Sequence, residues 1–271
     1  MGERALRIGL IGFGAIGQTI ADALRSEPGL VLVGVLGRER TVESIGAELP
    51  DGVRATARLS ELLSLRPDVI IECAGHQALR EYGATVLTSG IDLVVASVGA
   101  LADASLEAEL RAAATGARLL VPAGAIGGLD VLGAAKHAGL ERVDYTGRKA
   151  PKAWRGTPAE KLVDLDRITE AQVFFEGDAR TAALQFPQNA NVVAAVALAG
   201  AGFERTRVRL VADPNVDANQ HAVTAKGMFG EIRIEVTART LPRNPKTSML
   251  APYSIVRTLR NLADGISSTW A

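Results

Sequence analysis

The chain has 271 residues, 48% of them apolar, and its 30 basic residues balance 30 acidic ones. That length suits one large or two moderate domains with a sizeable core, while zero net charge and 4% aromatic content argue against nucleic acid, which calls for a basic field and stacking platforms. A single cysteine, Cys73, excludes an internal disulfide framework and is too little for a cysteine-based zinc cluster, so no metal is expected.

The opening MGERALRIGLIGFGAIG lacks the basic start, long apolar stretch and cleavage pattern of a signal peptide. No apolar run is long and uncharged enough to span a bilayer. A cytoplasmic protein with no membrane partner is expected. Short Val-, Ile- and Leu-rich runs at 6–12, 30–37, 68–74, 92–97 and 117–123 predict strands. The segments between them carry apolar residues at helical spacing. Alternation of this kind predicts an α/β fold, a Rossmann-type doubly wound parallel sheet covered on both faces.

Between the first strand and the first helix, GFGAIG supplies Gly12, Gly14 and Gly17 with Ala15 and Ile16 between them. A G-x-G-x-x-G match is weak alone in a chain of 28 glycines, but here it closes a strand and opens a helix. Gly12 permits the tight turn, Gly14 lets a pyrophosphate approach the backbone, and Gly17 lets helix and strand pack closely. The helix N-terminus adds free N–H groups for phosphate. An NAD-preferring fold ends its second strand in an acid that binds the ribose. This chain instead has Gly37 and Arg38 there, with Glu39 one step later. Arg38 suits a 2′-phosphate and equally suits a solvated charge cluster, so both NAD and NADP are expected as cofactors. His76 follows ECAG at a strand's carboxyl end, a position that can line the cofactor cleft, though a helix-start role is the favoured expectation. Cys73 reads as a buried strand residue.

The rhythm changes near residue 123. GGLDVLGAAKHAG and NVVAAVALAGAG read as helices, with His137 at the end of the first and Asn189 or Asn191 capping the second. RTRVRLVAD, NQHAVTAKG and GEIRIEVTART alternate as half-buried antiparallel strands do. LPRNPKTSMLAPYS reads as a loop before a last helix. This predicts a dinucleotide domain over 1–122 and a second α+β domain over 123–247 with a mostly antiparallel sheet. The C-terminal helix, 248–271, is expected to pack back on the first domain. His221, behind the polar run DPNVDANQ, is balanced on pattern alone between an active-site group and an ordinary strand histidine.

Four motifs, PAGAIGGLD (122–130), FPQNANV (186–192), DPNVDANQHAV (213–223) and NPKTSMLAPYS (244–254), together with the glycine loop, resemble the L-aspartate dehydrogenase family over nearly the whole chain. The resemblance implies NAD(P)-dependent oxidative deamination of L-aspartate to iminosuccinate, which hydrolyses to oxaloacetate and ammonia. It also implies the reverse amination and a link to NAD biosynthesis. Ala125 and Asn191 are then implied at the cofactor and His221 as the active-site residue. Ala123 departs from the serine common in that family and removes a hydroxyl contact. A substrate with two carboxylates calls for cations or helix N-termini. Arg148, Lys149, Lys152, Arg155 and Arg243 are available. Lys246 and Thr247 are favoured, with Asn191, because their loop leads towards a helix. A homodimer is expected through the second domain's sheet. The competing readings are a related two-domain enzyme of the homoserine dehydrogenase or dihydrodipicolinate reductase type, and a dinucleotide sensor without turnover.

Overall fold

The structure, a computed structural model, describes residues 5–187 and 190–265, without the side chains of Pro245 and Lys246. Its residues group into two compact units. One holds the chain up to Ser97, Ala104–Pro122 and the chain from Pro252 onward; the other holds Val98–Asp103 and Ala123–Ala251.

In the first unit, strands β1 (Leu6–Ile11), β2 (Leu30–Leu36), β3 (Arg54–Thr56), β4 (Val69–Glu72), β5 (Asp92–Val95) and β6 (Leu119–Leu120) form a sheet in the order β3-β2-β1-β4-β5-β6. Every pairing in it is parallel. The order in which successive strands are added reverses between β1 and β4, which creates the crevice where open α/β sheets take ligands. The helices are α1 (Ala15–Leu24), α2 (Val42–Glu48), α3 (Leu59–Ser64), α4 (His76–Thr88) and α5 (Ala104–Ala113). Helical cover on a parallel sheet explains why β4 is apolar apart from its last residue and buried throughout. The three-residue β3 is too short to announce itself by periodicity.

Helices α6 (Leu129–His137), α7 (Ala179–Gln185) and α8 (Ala190–Ala199) follow, and the last helix, α9, spans Leu250–Ala263. Its Ile255 and Leu259 share a core with Ile8, Leu10, Ile20, Leu24, Val35 and Ile71. A leucine buried in this way contributes about 1.5–3 kcal/mol.

The second unit is built on β7 (Leu140–Lys149), β8 (Gln172–Asp178), β9 (Thr206–Ala212), β10 (Asn219–Gly227) and β11 (Gly230–Ala238), in the order β11-β10-β7-β9-β8. The sheet is antiparallel except where β7 and β9 run parallel. β7 and β8 were not assigned from sequence, because charged residues along both interrupt the apolar pattern. Along β7 the alternation is nonetheless regular: Val143, Tyr145, Gly147 and Lys149 are buried, while Asp144, Thr146 and Arg148 are half-buried. A two-stranded ribbon, β12 (Thr240–Leu241) with β13 (Asn244–Ser248), occupies the segment expected to be a loop.

Leu259 is fully buried in the first unit's core, so Leu259→Ala is expected to cost that unit about 2–5 kcal/mol. Urea denaturation of the full chain reads this as an earlier unfolding transition; an unshifted transition would refute the placement of α9.

Candidate active site

The glycine loop runs from the end of β1 into α1. Gly12 has φ +98°, and a Cβ there would lie 2.8 Å from the Ala74 Cβ. A Cβ on Gly17 would lie 2.6 Å from the Gly12 carbonyl oxygen. Gly14 caps α1 without any side-chain cap, no acid occupies the first turn, and no atom comes within 4 Å of a Cβ built on it. Beside Gly14, the N-terminus of α1, begun by Ala15, Ile16 and Gly17, therefore presents an uncontested positive dipole end. These residues fit a pyrophosphate. At the end of β2, a Cβ on Gly37 would come 2.4 Å from Ile45 Cδ1, so a side chain there would have to displace that methyl. Arg38 is exposed beside it.

Sequence reading passed over Glu72, the last residue of β4. It is 1% exposed. Its Oε1 accepts from the amides of Ala74 and Gly75, both at 2.8 Å, and from the Ser97 hydroxyl at 2.9 Å; its Oε2 accepts from the Ser97 amide at 3.2 Å. Burial pushes its carboxyl above the usual range, opposed by the amide of Gly75, the Ser97 hydroxyl and the remaining donors. The carboxylate holds the loop after β4, whose Ala74 lies against Gly12. His76 opens α4 directly after Gly75, and burial, then the charge of Arg80, lowers its pKa. Cys73 donates to the carbonyls of Ile11 and Gly12 at 3.4 Å, and burial raises its thiol pKa, as a structural cysteine requires.

His221 occupies the second unit's sheet. The antiparallel register sets it opposite Gly147, which places its ring on the face that carries Tyr145 and Lys149. The Tyr145 hydroxyl lies 2.8 Å from His221 Nδ1. It reaches there by crossing Gly147, where a Cβ would stand 2.8 Å from that hydroxyl. His221 is 4% exposed and Lys149 7%. Burial first, and then the charge of Lys149, lowers the His221 pKa to about 3. Burial lowers Lys149 to about 8 and raises Tyr145. The cluster thus presents a neutral imidazole beside a cation, and no described residue hydrogen-bonds Nε2. Tyr145 and Gly147 were missed in sequence; their signal was the period-two pattern V-D-Y-T-G-R-K of β7.

The remaining cations separate clearly. Arg148, on the opposite face, binds Asp213 at 2.5 Å. The amide of Asn215 and then Arg148 hold that carboxyl below the usual range. Arg155 pairs with Asp166, and Lys152 and Arg243 are exposed. The side chain of Lys246 lies outside the described residues. Thr247 sits within β13, not at a helix start, because the chain turns at Pro242 and Arg243 and pairs back on β12; Ser248 instead accepts the Leu250 amide at the start of α9. Asn191, in the first turn of α8, accepts the Gly99 amide on Oδ1 at 2.9 Å instead of capping its own helix. Asn189 lies outside the described residues. Ala125 is buried and His137 exposed in the last turn of α6. Among the described residues, no His, Cys, Asp and Glu group could hold a metal, and no helix is long and apolar enough to cross a membrane.

A glycine loop at the switch point of this strand order defines the class: a dinucleotide-binding unit joined to a second α+β unit. Residues 12–122 match the family described as homoserine dehydrogenase, NAD binding domain, and residues 130–262 match aspartate dehydrogenase, C-terminal. The L-aspartate dehydrogenase of Ralstonia nicotianae is 47% identical over 268 residues, covering 97% of this chain and 99% of that one. That of Cupriavidus necator is 45% identical over 267 residues, with coverage of 97% and 99%. A crystal structure of aspartate dehydrogenase from Thermotoga maritima superposes with a TM-score of 0.74 at 28% identity, covering 98% of both chains. The chain belongs to the L-aspartate dehydrogenase family.

Two outcomes follow from the His221 geometry. With its pKa near 3 against an ordinary 6.5, the unfolded chain binds the proton that the folded chain refuses, so stability falls as pH drops from about 6.5 towards about 3. His221→Gln should flatten that slope in acid denaturation followed by circular dichroism. Gly147→Ala should push the Tyr145 hydroxyl off Nδ1 and lower any turnover that His221 supports by about 10²-fold; unchanged rates would show that the crossing is dispensable.

Proposed function

We propose that the protein is an NAD(P)-dependent L-aspartate dehydrogenase, with full-length family membership at 47% identity as the observation that carries the reading. The reaction removes two electrons and the C2 hydrogen from L-aspartate, gives iminosuccinate, and adds water to release oxaloacetate and ammonia; the reverse amination uses the same groups. A bound nicotinamide supplies the electron acceptor. Gly12, Gly14, Ala15, Ile16 and Gly17 bind the pyrophosphate, Arg38 meets the adenosine ribose or its 2′-phosphate, and Ala125 and Asn191 contact the cofactor. Asn191, Lys246 and Thr247 are proposed contacts to substrate.

His221 handles the proton. The substrate ammonium must lose one before C2 is oxidised, and neutral imidazole is the acceptor. With Nδ1–H donated to the Tyr145 oxygen, the lone pair on Nε2 takes that proton. A pKa near 3 keeps the empty site unprotonated; the substrate's carboxylates then favour the imidazolium and raise its basicity when it is needed. We infer further that the enzyme is a cytoplasmic homodimer linked to NAD biosynthesis, with the edge strand β11 and its sheet as the assembly surface.

Purified protein given L-aspartate and either NAD or NADP should produce reduced-cofactor absorbance, and a flat trace with both would sink the assignment. His221→Ala should lower kcat by about 10²–10⁴-fold with cofactor affinity intact, as measured by fluorescence titration.

A further inference from the structure

The substrate of the proposed reaction carries two carboxylates, yet His221 is neutral and so offers them no charge. The cation nearest in fold terms is on the next strand. Lys149 is the last residue of β7 and lies two positions beyond Gly147, the partner of His221. Tyr145 and Lys149 therefore flank the imidazole on one face of the sheet, one on each side of the glycine. Tyr145 is hydrogen-bonded to it, and the Lys149 charge acts on it.

The surroundings of Lys149 hold it in place. Its Nζ lies 5.3 Å from the centroid of the Trp154 ring, and Trp154 is itself fully buried and donates from Nε1 to the Val211 carbonyl at 3.1 Å. Asp213 follows the end of β9, and its amide donates to the Lys149 carbonyl at 2.9 Å. Its carboxylate accepts from Arg148 at 2.5 Å and from the Asn215 amide at 2.9 Å. Arg148 points to the other face, and Lys152 and Arg155 are exposed. A carboxylate arriving beside a buried ammonium forms a charge-assisted hydrogen bond in a site of low dielectric.

We propose that the Lys149 ammonium receives a carboxylate of the substrate beside His221 and thereby selects acidic over neutral amino acids. The proposal rests on the aspartate reading.

The test uses the full-length enzyme with reduced cofactor bound, and succinate as a dicarboxylate that cannot react. Lys149→Met keeps the length of the stem against Trp154 and removes only the charge; Lys149→Arg keeps the charge. Calorimetry should show succinate binding to the wild type, weakened by about 10²-fold in K149M and recovered in part by K149R. Cofactor affinity should be unchanged, since Lys149 is not among the groups placed at the cofactor. The KM for aspartate should rise with succinate dissociation, and the preference for aspartate over asparagine and alanine should shrink. A wild type that does not bind succinate, or a K149M that binds it within about threefold of wild type, the scale of an exposed ion pair, overturns the role. Absence of aspartate oxidation by the wild type would defeat the functional reading instead, because succinate binding is measured without turnover.

Discussion

The hydrogen bond between the Tyr145 hydroxyl and His221 Nδ1 depends on a register that neither strand can set alone. β10 must pair with β7 so that His221 faces Gly147, and residue 147 must lack a side chain so that the phenol can lie across it. A one-residue slip would send the imidazole to the opposite face, beside Arg148 instead of Lys149. The buried alternation along β7 is what resists that slip, since it would also exchange Val143, Tyr145 and Lys149 for Asp144, Thr146 and Arg148.

Burial then sets the electrostatics. A histidine and a lysine on one buried face cannot both be charged at low cost, and the imidazole is the one that yields. The result is a neutral imidazole next to a positive charge. Tyr145, itself held neutral by burial, fixes the ring without adding charge. Thus orientation, protonation state and local field all come from one sheet face.

The first unit solves a different problem with backbone. Gly12 and Gly17 are close-packing glycines, whereas Gly14 faces open space; the loop is tight on the protein side and empty on the ligand side. Glu72 adds a rigid support by gathering two successive amides and both donors of Ser97 onto one carboxylate. A buried acid with that many donors is a structural anchor, and it stiffens the turn against which Gly12 packs.

Much of this was legible in the chain itself. Strand and helix alternation over the first 122 residues, the glycine loop and the motif around His221 follow from periodicities and short-range turn chemistry, which act over a few residues and so survive in one dimension. Pattern alone left His221 balanced, and resemblance to a family tipped it. The segment NPKTS read as a loop because its proline and polar residues hide a short ribbon pairing. The partners of His221 were hidden for a related reason: Tyr145 and Gly147 lie more than seventy positions away and matter only through the pairing of β7 with β10. Among several cations in GRKAPKAWRG, sequence could not choose. In the tertiary structure, strand alternation turns Arg148 to Asp213 and buries Lys149 on the histidine's side. Local chemistry determined which elements form; long-range register decided which side chains meet.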